Sequence, residues 1–136
     1  MADPSPYAVR VGSGTLRDDG GRRVEGVVLP HAWTEEGVLA GPATNGAQVL
    51  HLAVALCVLN DTYREARRLE VPVHGVAVTA DGGFDDVGTS TGIAYDITLD
   101  TTAPSETVQL LLEVVEEVAE IPRAIRAGAD VRRRLT

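Results

Sequence analysis

The segment from Asn45 to Arg68 constrains the fold of this chain most, because nothing in it breaks a helix. Asn45 is followed three residues later by Gln48, a capping-box pattern that predicts the start of a helix. At 1.5 Å per residue the helix would be roughly 34 Å long. Its first half, with the run Val49 to Leu59, is apolar on every face and must be buried all round. Its second half is polar and should reach solvent.

Strands and a second helix are expected around this helix. Patterns of alternation and helical spacing predict strands at 7–11, 22–29, 71–80 and 92–100, a helix at 104–120, and a short helical turn with an end strand at 123–131. The glycine-rich segment 12–21 is predicted to be a hairpin turn, 30–44 a loop, and 80–92 a turn region. This order indicates an α+β fold. A dimer in which two sheets enclose paired helices would cover the central helix.

The net charge, the length of the longest apolar run and the N-terminal residues argue against several classes of protein. Twenty acidic against twelve basic residues give a formal net charge of -8, which argues against general nucleic-acid binding. The longest apolar run has eleven residues, whereas a membrane span needs about 20. The N-terminus has an acid and prolines where a signal peptide needs basic residues. We expect one domain over residues 1–136, cytoplasmic, with neither a membrane nor a nucleic-acid partner.

The only cysteine, Cys57, lies in the middle of the predicted helix and cannot form an internal disulfide. Asn60, Asp61 and Arg64 follow at three, four and seven residues, so they share its face. Asp61 should disfavour a thiolate, whereas Arg64 or an arginine from elsewhere should favour it. The mid-helix position also removes the dipole of its own helix as an activator. Local sequence therefore favours a buried apolar thiol over a reactive one.

The histidines form no recognisable site. His51 precedes Cys57 by six residues, which places it about 120° away around the helix, so it is a poor base for the thiol. His31 and His74 are expected in a loop and at a strand edge. No spacing matches a metal site, and segment 12–21 lacks the Lys-Ser/Thr of a phosphate loop. We expect neither a metal nor a cofactor.

Three segments together resemble the OsmC/Ohr family of osmotically inducible and organic-hydroperoxide-resistance proteins. They are GPATNGAQVLHLAVALC at 41–57, VPVHGVAVTADGGFD at 71–85 and AEIPRAIRAGADV at 119–131. The resemblance implies antiparallel sheets that enclose two long central helices in an intertwined homodimer. It also implies that Cys57 is the reactive cysteine, which in this family reduces hydroperoxides to alcohols.

The sequence departs from the family pattern at two positions. The family's second cysteine precedes a proline, but here Ile121 precedes Pro122. A sulfenic acid at Cys57 therefore cannot resolve as an internal disulfide, and an external thiol must reduce it. The glutamate that holds the family's catalytic arginine corresponds to Ala47, so thiolate stabilisation should be weaker.

Two hypotheses about function remain open. In the first, the protein is a one-cysteine, thiol-dependent reductase of small apolar hydroperoxides. Cys57 attacks the peroxide, an external thiol regenerates it, and the resemblance suggests Arg17 as the residue that stabilises the thiolate, with Arg22 and Arg23 as alternatives. In the second, it is a non-catalytic homodimer that binds a small apolar ligand in a stress or biosynthetic pathway.

Overall fold

The computed structural model describes residues 5–20 and 25–135 and contains a five-stranded antiparallel sheet and three helices. The elements are β1 (Val9–Gly14), β2 (Val27–Leu29), β3 (Val38–Gly41), α1 (Gly46–Arg68), β4 (Gly75–Phe84), β5 (Ser90–Asp100), α2 (Ser105–Val118) and α3 (Glu120–Ala127). The strand order is β2-β3-β1-β4-β5. The predicted α+β class is confirmed, whereas the dimer and the extent of the domain over 1–136 stay predictions.

The start of α1 is where the capping pattern places it. Asn45 is the N-cap, and its Oδ1 accepts a hydrogen bond from the backbone N–H of Gln48 at 2.9 Å. The Gln48 side chain reaches back and accepts from the backbone N–H and the hydroxyl of Thr44 at 2.7 and 2.8 Å. The bond to Asn45 satisfies one backbone donor that the first helical turn leaves free, and the bonds from Thr44 hold the residue before the N-cap against the helix.

The core lies between α1 and one face of the sheet, and α2 adds side chains to it. Its fully buried members are aliphatic, because the chain has few aromatic residues; the largest include Val11, Val58, Leu59, Val76, Val78, Leu111 and Val115. Since aliphatic side chains fill this layer, α1 is held mainly by apolar burial. No helix in the described part of the chain is long and apolar enough to cross a membrane.

One face of α1 is not covered by the rest of the chain, so the predicted burial of its first half all round stays a prediction that depends on the dimer. Val49 is 50% exposed, and Ala53, Leu56 and Cys57 are only half-buried. These residues recur at helical spacing and form one stripe, which we call the open stripe of α1. The physical reason is that a single sheet covers only one side of a helix.

The prediction that the second half of α1 reaches solvent is confirmed only in part, at Arg64, Arg67 and Arg68. Asp61 and Glu65 are buried. Asp61 Oδ1 lies 3.2 Å from Nη1 of Arg64, and Glu65 Oε1 lies 2.8 Å from Nε of Arg68. Because the arginines are partly exposed and sit one turn away, they neutralise the buried carboxylates while reaching water themselves.

Several strand predictions are wrong. Segment 12–21 is not a hairpin turn, because β2 pairs with β3 and β1 lies between β3 and β4. The predicted loop 30–44 contains β3, and β4 continues through the glycines of the predicted turn to Phe84. No end strand follows α3; residues 128–135 have no regular structure. The predicted strand at 22–29 is confirmed over Val27–Leu29; residues 25 and 26 are not part of it, and 22–24 lie outside the described residues.

Candidate active site

Cys57 lies in an open groove of about 440 Å³ on the surface of the chain. Three parts of the chain form the groove: the loop between β2 and β3, the open stripe of α1, and the start of α3. The lining residues are Pro30, His31, Ala32, Ala53, Leu56, Cys57, Asn60 and Ile121. Five of these eight are apolar, so the groove suits a small apolar molecule that presents a polar atom to the sulfur.

The loop wall of the groove is fixed to α1 by aromatic contacts. Trp33 donates a hydrogen bond from Nε1 to Oδ1 of Asn60 at 3.1 Å, and the Arg67 guanidinium lies 5.6 Å from the Trp33 ring centroid. His31 packs edge-on against Tyr63 at 5.5 Å between ring centroids. Because the loop contacts α1 at three side chains, the groove is pre-formed in the single chain.

The charge state of Cys57 is set by opposing influences. Burial raises the pKa of the thiol, and Asp61, whose Oδ2 lies 3.8 Å from Sγ, raises it further. The backbone N–H groups of Ile121 and, less strongly, Glu120 act in the other direction. Burial and Asp61 prevail, so the pKa lies above its ordinary value and the resting sulfur is a thiol at neutral pH.

The amides that favour the thiolate belong to the first turn of α3, which sequence reasoning overlooked. Helix α2 ends at Val118 and α3 begins at Glu120, so Pro122 lies in the first turn of α3, just before the short helical turn predicted from residue 123. The available signal was Pro122 itself, because proline is tolerated in the first turn of a helix, where backbone N–H groups are unpaired. The first turn of α3 therefore supplies the helix-end field that α1 cannot give its own mid-helix thiol.

Arg17 lies in the turn after β1 and is not among the residues that line the groove. Its Nη1 is 3.7 Å from Oδ1 of Asp18, and its carbonyl accepts a hydrogen bond from Arg10 at 3.1 Å. The described residues of one chain thus do not bring Arg17 to Cys57, and its role stays a prediction that requires a second subunit. Arg22 and Arg23 lie outside the described residues.

His31 is the groove residue that sequence reasoning did not connect with Cys57. The predicted loop position is confirmed, since His31 lies between β2 and β3. Its Nδ1 is 2.9 Å from the hydroxyl of Thr34, and its Nε2 is buried without a hydrogen-bond partner. Burial lowers the pKa of the imidazole, although Asn60 opposes this. No spacing signal could link the two residues, because the loop and α1 meet only in the folded chain.

The other histidines lie elsewhere. His51 is fully buried; its Nδ1 is 2.8 Å from the carbonyl oxygen of Tyr7 and its ring stacks on Phe84. His74 is exposed immediately before β4. Within the described residues no group of three or more His, Cys, Asp or Glu side chains could hold a metal ion.

Together these observations define a class: an α+β protein in which an antiparallel sheet supports one long helix, and that helix presents a single thiol to a mostly apolar groove. A family model described as OsmC-like protein matches residues 39–133. The chain therefore belongs to the OsmC-like family. The matched region contains Cys57, Ile121 and His74 but neither Arg17 nor His31.

A solved structure supports the fold. The crystal structure of an OsmC-like hydroperoxide resistance protein from Jannaschia sp. CCS1 is similar with a TM-score of 0.53 and 18% sequence identity. The similarity covers 95% of this chain and 92% of that chain. At this identity the likeness shows a shared fold. A comparison with curated proteins gave no match.

Proposed function

We propose that this protein is a one-cysteine, thiol-dependent organic hydroperoxide reductase that works as a homodimer. The observation that carries the proposal is the position of Cys57 in a mostly apolar groove that Ile121 of α3 also lines, where backbone N–H groups of the first turn of α3 act to lower the pKa of the thiol. These amides favour the thiolate, which is the nucleophilic form. The likeness to a protein named for hydroperoxide resistance agrees with this chemistry.

The proposed reaction begins when the Cys57 thiolate attacks the terminal oxygen of a hydroperoxide. The S–O bond forms as the O–O bond breaks, so the sulfur loses two electrons and becomes a sulfenic acid, while the alkoxide takes a proton and leaves as an alcohol. A small external thiol then condenses with the sulfenic acid to give a mixed disulfide and water. A second external thiol releases Cys57 as the thiol and leaves as a disulfide.

The external thiol is required because Ile121 lines the groove at the position that the family resemblance gives to a second cysteine. The side chain of Ile121 adds apolar surface instead of a resolving sulfur. We therefore propose a substrate with an apolar body, and Arg17 of a second subunit as an additional stabiliser of the thiolate. A supply of small thiols fits the cytoplasmic location expected from the sequence.

The homodimer is proposed because the open stripe of α1 is apolar and lacks cover. Val49 is half-exposed, and Ala53, Leu56 and Cys57 are half-buried. A second copy that packs on this stripe would bury it and close the groove against water. Closing the groove would strengthen the electrostatic effect of the α3 amides on the sulfur.

The test is mass spectrometry of the protein after treatment with one equivalent of cumene hydroperoxide. We expect Cys57 to carry a sulfenic acid, which dimedone traps, or a mixed disulfide when a small thiol is present. The Cys57→Ser variant should take up no label and consume no peroxide. An unmodified Cys57 after this treatment would falsify the proposal.

A second candidate function is non-catalytic binding of a small apolar ligand in the same groove. It is favoured by the raised pKa of Cys57 and by Ala47, which cannot orient an arginine. Thermal-shift measurements on Cys57→Ser with apolar ligands separate the two functions. Stabilisation by an unreactive ligand, combined with an inert Cys57 in the peroxide experiment, would support binding alone.

A further inference from the structure

A second cavity, of about 400 Å³, is formed by α1, the first half of β5 and one face of α3. We call it the α3 cavity. It shares no lining residue with the Cys57 groove. Its volume is within the range of small-molecule sites in proteins, about 300–1,000 Å³. The side chains that define its chemistry are Val54, Ile93, Tyr95, Pro122, Ile125 and Arg126.

The walls of the α3 cavity are largely apolar. Val54 of α1 is buried, and Ile93 of β5 packs against the core. On α3, Pro122 is buried and Ile125 packs against the core. Because these side chains converge on one space, the cavity can remove the apolar body of a small ligand from water.

Arg126 is the one cationic side chain among the described residues that line the α3 cavity. It follows Pro122 by four residues in α3, so both side chains lie on the same face of this helix. Arg126 is in none of the ion pairs that the described residues form. Its guanidinium therefore remains able to bind an anion that enters the cavity.

Tyr95 adds a hydrogen-bond donor to the α3 cavity. Burial raises the pKa of the Tyr95 hydroxyl, and the Glu116 carboxylate raises it further, whereas Arg126 lowers it. The net effect is a raised pKa, so the phenol stays protonated at neutral pH and can donate a hydrogen bond. Arg126 acts on this hydroxyl because the two side chains line the same cavity from two elements, α3 and β5.

We propose that the α3 cavity binds a small monocarboxylate with an apolar body, and that Arg126 pairs with the carboxylate while Tyr95 donates to it. A guanidinium suits this ligand because its N–H donors match the two oxygens of a carboxylate. The net charge of -8 repels anions in general, so binding depends on Arg126. Since Cys57 does not line this cavity, the inference is independent of the proposed reductase function.

Glu116 is the acidic group that opposes the binding of a carboxylate. It acts on Tyr95, but it does not line the α3 cavity and is exposed on α2. Water and salt therefore screen its charge. Glu116→Gln should strengthen the binding of a carboxylate, whereas Arg126→Gln should weaken it.

The experiment titrates the full chain with hexanoate and follows the backbone amide signals by nitrogen–proton correlation NMR. We expect saturable shifts centred on residues 90–95 and 122–126. Arg126→Gln should weaken hexanoate binding by about tenfold, the lower end for hydrogen bonds to a charged group. Arg133→Gln is the matched control, because it removes one exposed arginine from the segment after α3, and it should bind hexanoate with unchanged affinity.

1-Hexanol, which has the same apolar body without the charge, separates the role of Arg126 from that of the walls. It should bind the unsubstituted protein more weakly than hexanoate, and this difference should disappear in Arg126→Gln. Cys57→Ser should keep its affinity for hexanoate. Equal affinities of the unsubstituted protein and Arg126→Gln for hexanoate, with both amide spectra native, would overturn the proposal.

Sedimentation tests a competing occupant, a carboxylate side chain of a second copy of the chain. If hexanoate causes no saturable shifts and Arg126→Gln dimerises more weakly than Arg133→Gln, the α3 cavity belongs to an interface between copies and the proposal is overturned. Shifts centred on the Cys57 groove would overturn it as well, because the ligand would then occupy the other site.

Discussion

At the scale of single residues, the Cys57 thiol is governed by one neighbour that sequence can predict and another that it cannot. Asp61 lies one helical turn away, so its unfavourable effect on the thiolate follows from spacing alone and is confirmed. The amides of Glu120 and Ile121 belong to α3, and their effect depends on how α3 packs against α1. Local patterns therefore predicted that Asp61 raises the pKa of the thiol, but they missed the amides of α3, which lower it.

Removing the charge of Asp61 should make Cys57 more reactive. Because the carboxylate raises the pKa of the thiol, Asp61→Asn should lower that pKa and increase the rate of alkylation by iodoacetamide at pH 8 by about threefold. Asp86→Asn removes one charge from the exposed turn between β4 and β5 and is the matched control. Equal rates in both variants would show that Asp61 does not act on the sulfur.

Gly82 in β4 provides a second prediction, because it packs against the buried ring of His51. A Cβ at this position would lie 3.1 Å from Nε2 of His51 and would overlap the carbonyl oxygen of Gly92 on β5. Gly82→Ala should reduce the free energy of unfolding by about 1–3 kcal/mol, measured by urea denaturation. Gly46→Ala, where a Cβ meets nothing within 4 Å, is the control and should not be destabilising.

At the scale of elements, the predictions succeeded where the signal is local and long. The bounds of α1 follow from Asn45 and from an uninterrupted helical segment, and α2 follows from its periodic stripe. β3 was missed because it has only four residues, too few for an alternating pattern. The predicted end of β4 came too early because Gly82 and Gly83 resemble a turn. Gly82 is instead a strand residue that must be glycine because His51 and Gly92 approach it closely.

The buried ion pair of α1 makes a prediction about acid stability. Burial acts to raise the pKa of Glu65, but hydrogen bonds from Arg68 and Arg64 outweigh it and hold the pKa below 4.5. A depressed pKa stabilises the folded chain above pH 4.5, and this contribution is lost as pH falls through the folded pKa.

We therefore expect Glu65→Gln to lower the free energy of unfolding by about 2 kcal/mol at pH 7. The difference in this free energy between the variant and the unsubstituted protein should become smaller as the pH is lowered below 4.5. Urea titrations at several pH values measure it. Glu113→Gln on the exposed face of α2 is the matched control. A constant difference at all pH values would contradict the assignment to the Glu65 charge.

At the scale of the whole molecule, the sequence predicted that α1 needs more cover than one sheet can give. Residues of the open stripe, such as Val49 and Leu56, are apolar, yet the described chain leaves them partly exposed. The single chain likewise does not bring Arg17 to Cys57, because their proposed contact would join two subunits. A contact between two chains leaves no spacing pattern in one sequence, so this part of the site stays a prediction.

The proposed dimer can be tested with one charge on the open stripe. We expect the unsubstituted protein to sediment as a dimer and Leu56→Glu to sediment as a monomer, because a buried carboxylate without a partner opposes association. Val87→Glu, at an 85% exposed position in the turn between β4 and β5, should remain dimeric. A monomeric unsubstituted protein would refute the homodimer.

The place of β1 in the sheet has a consequence for how the chain can be shortened. β1 is the central strand and pairs with β3 on one side and β4 on the other. A truncation that removed residues 9–14 would not trim an edge; it would separate the hairpin of β2 and β3 from that of β4 and β5. β1 therefore joins the two halves of the sheet, and fragments that begin after it should fail to fold.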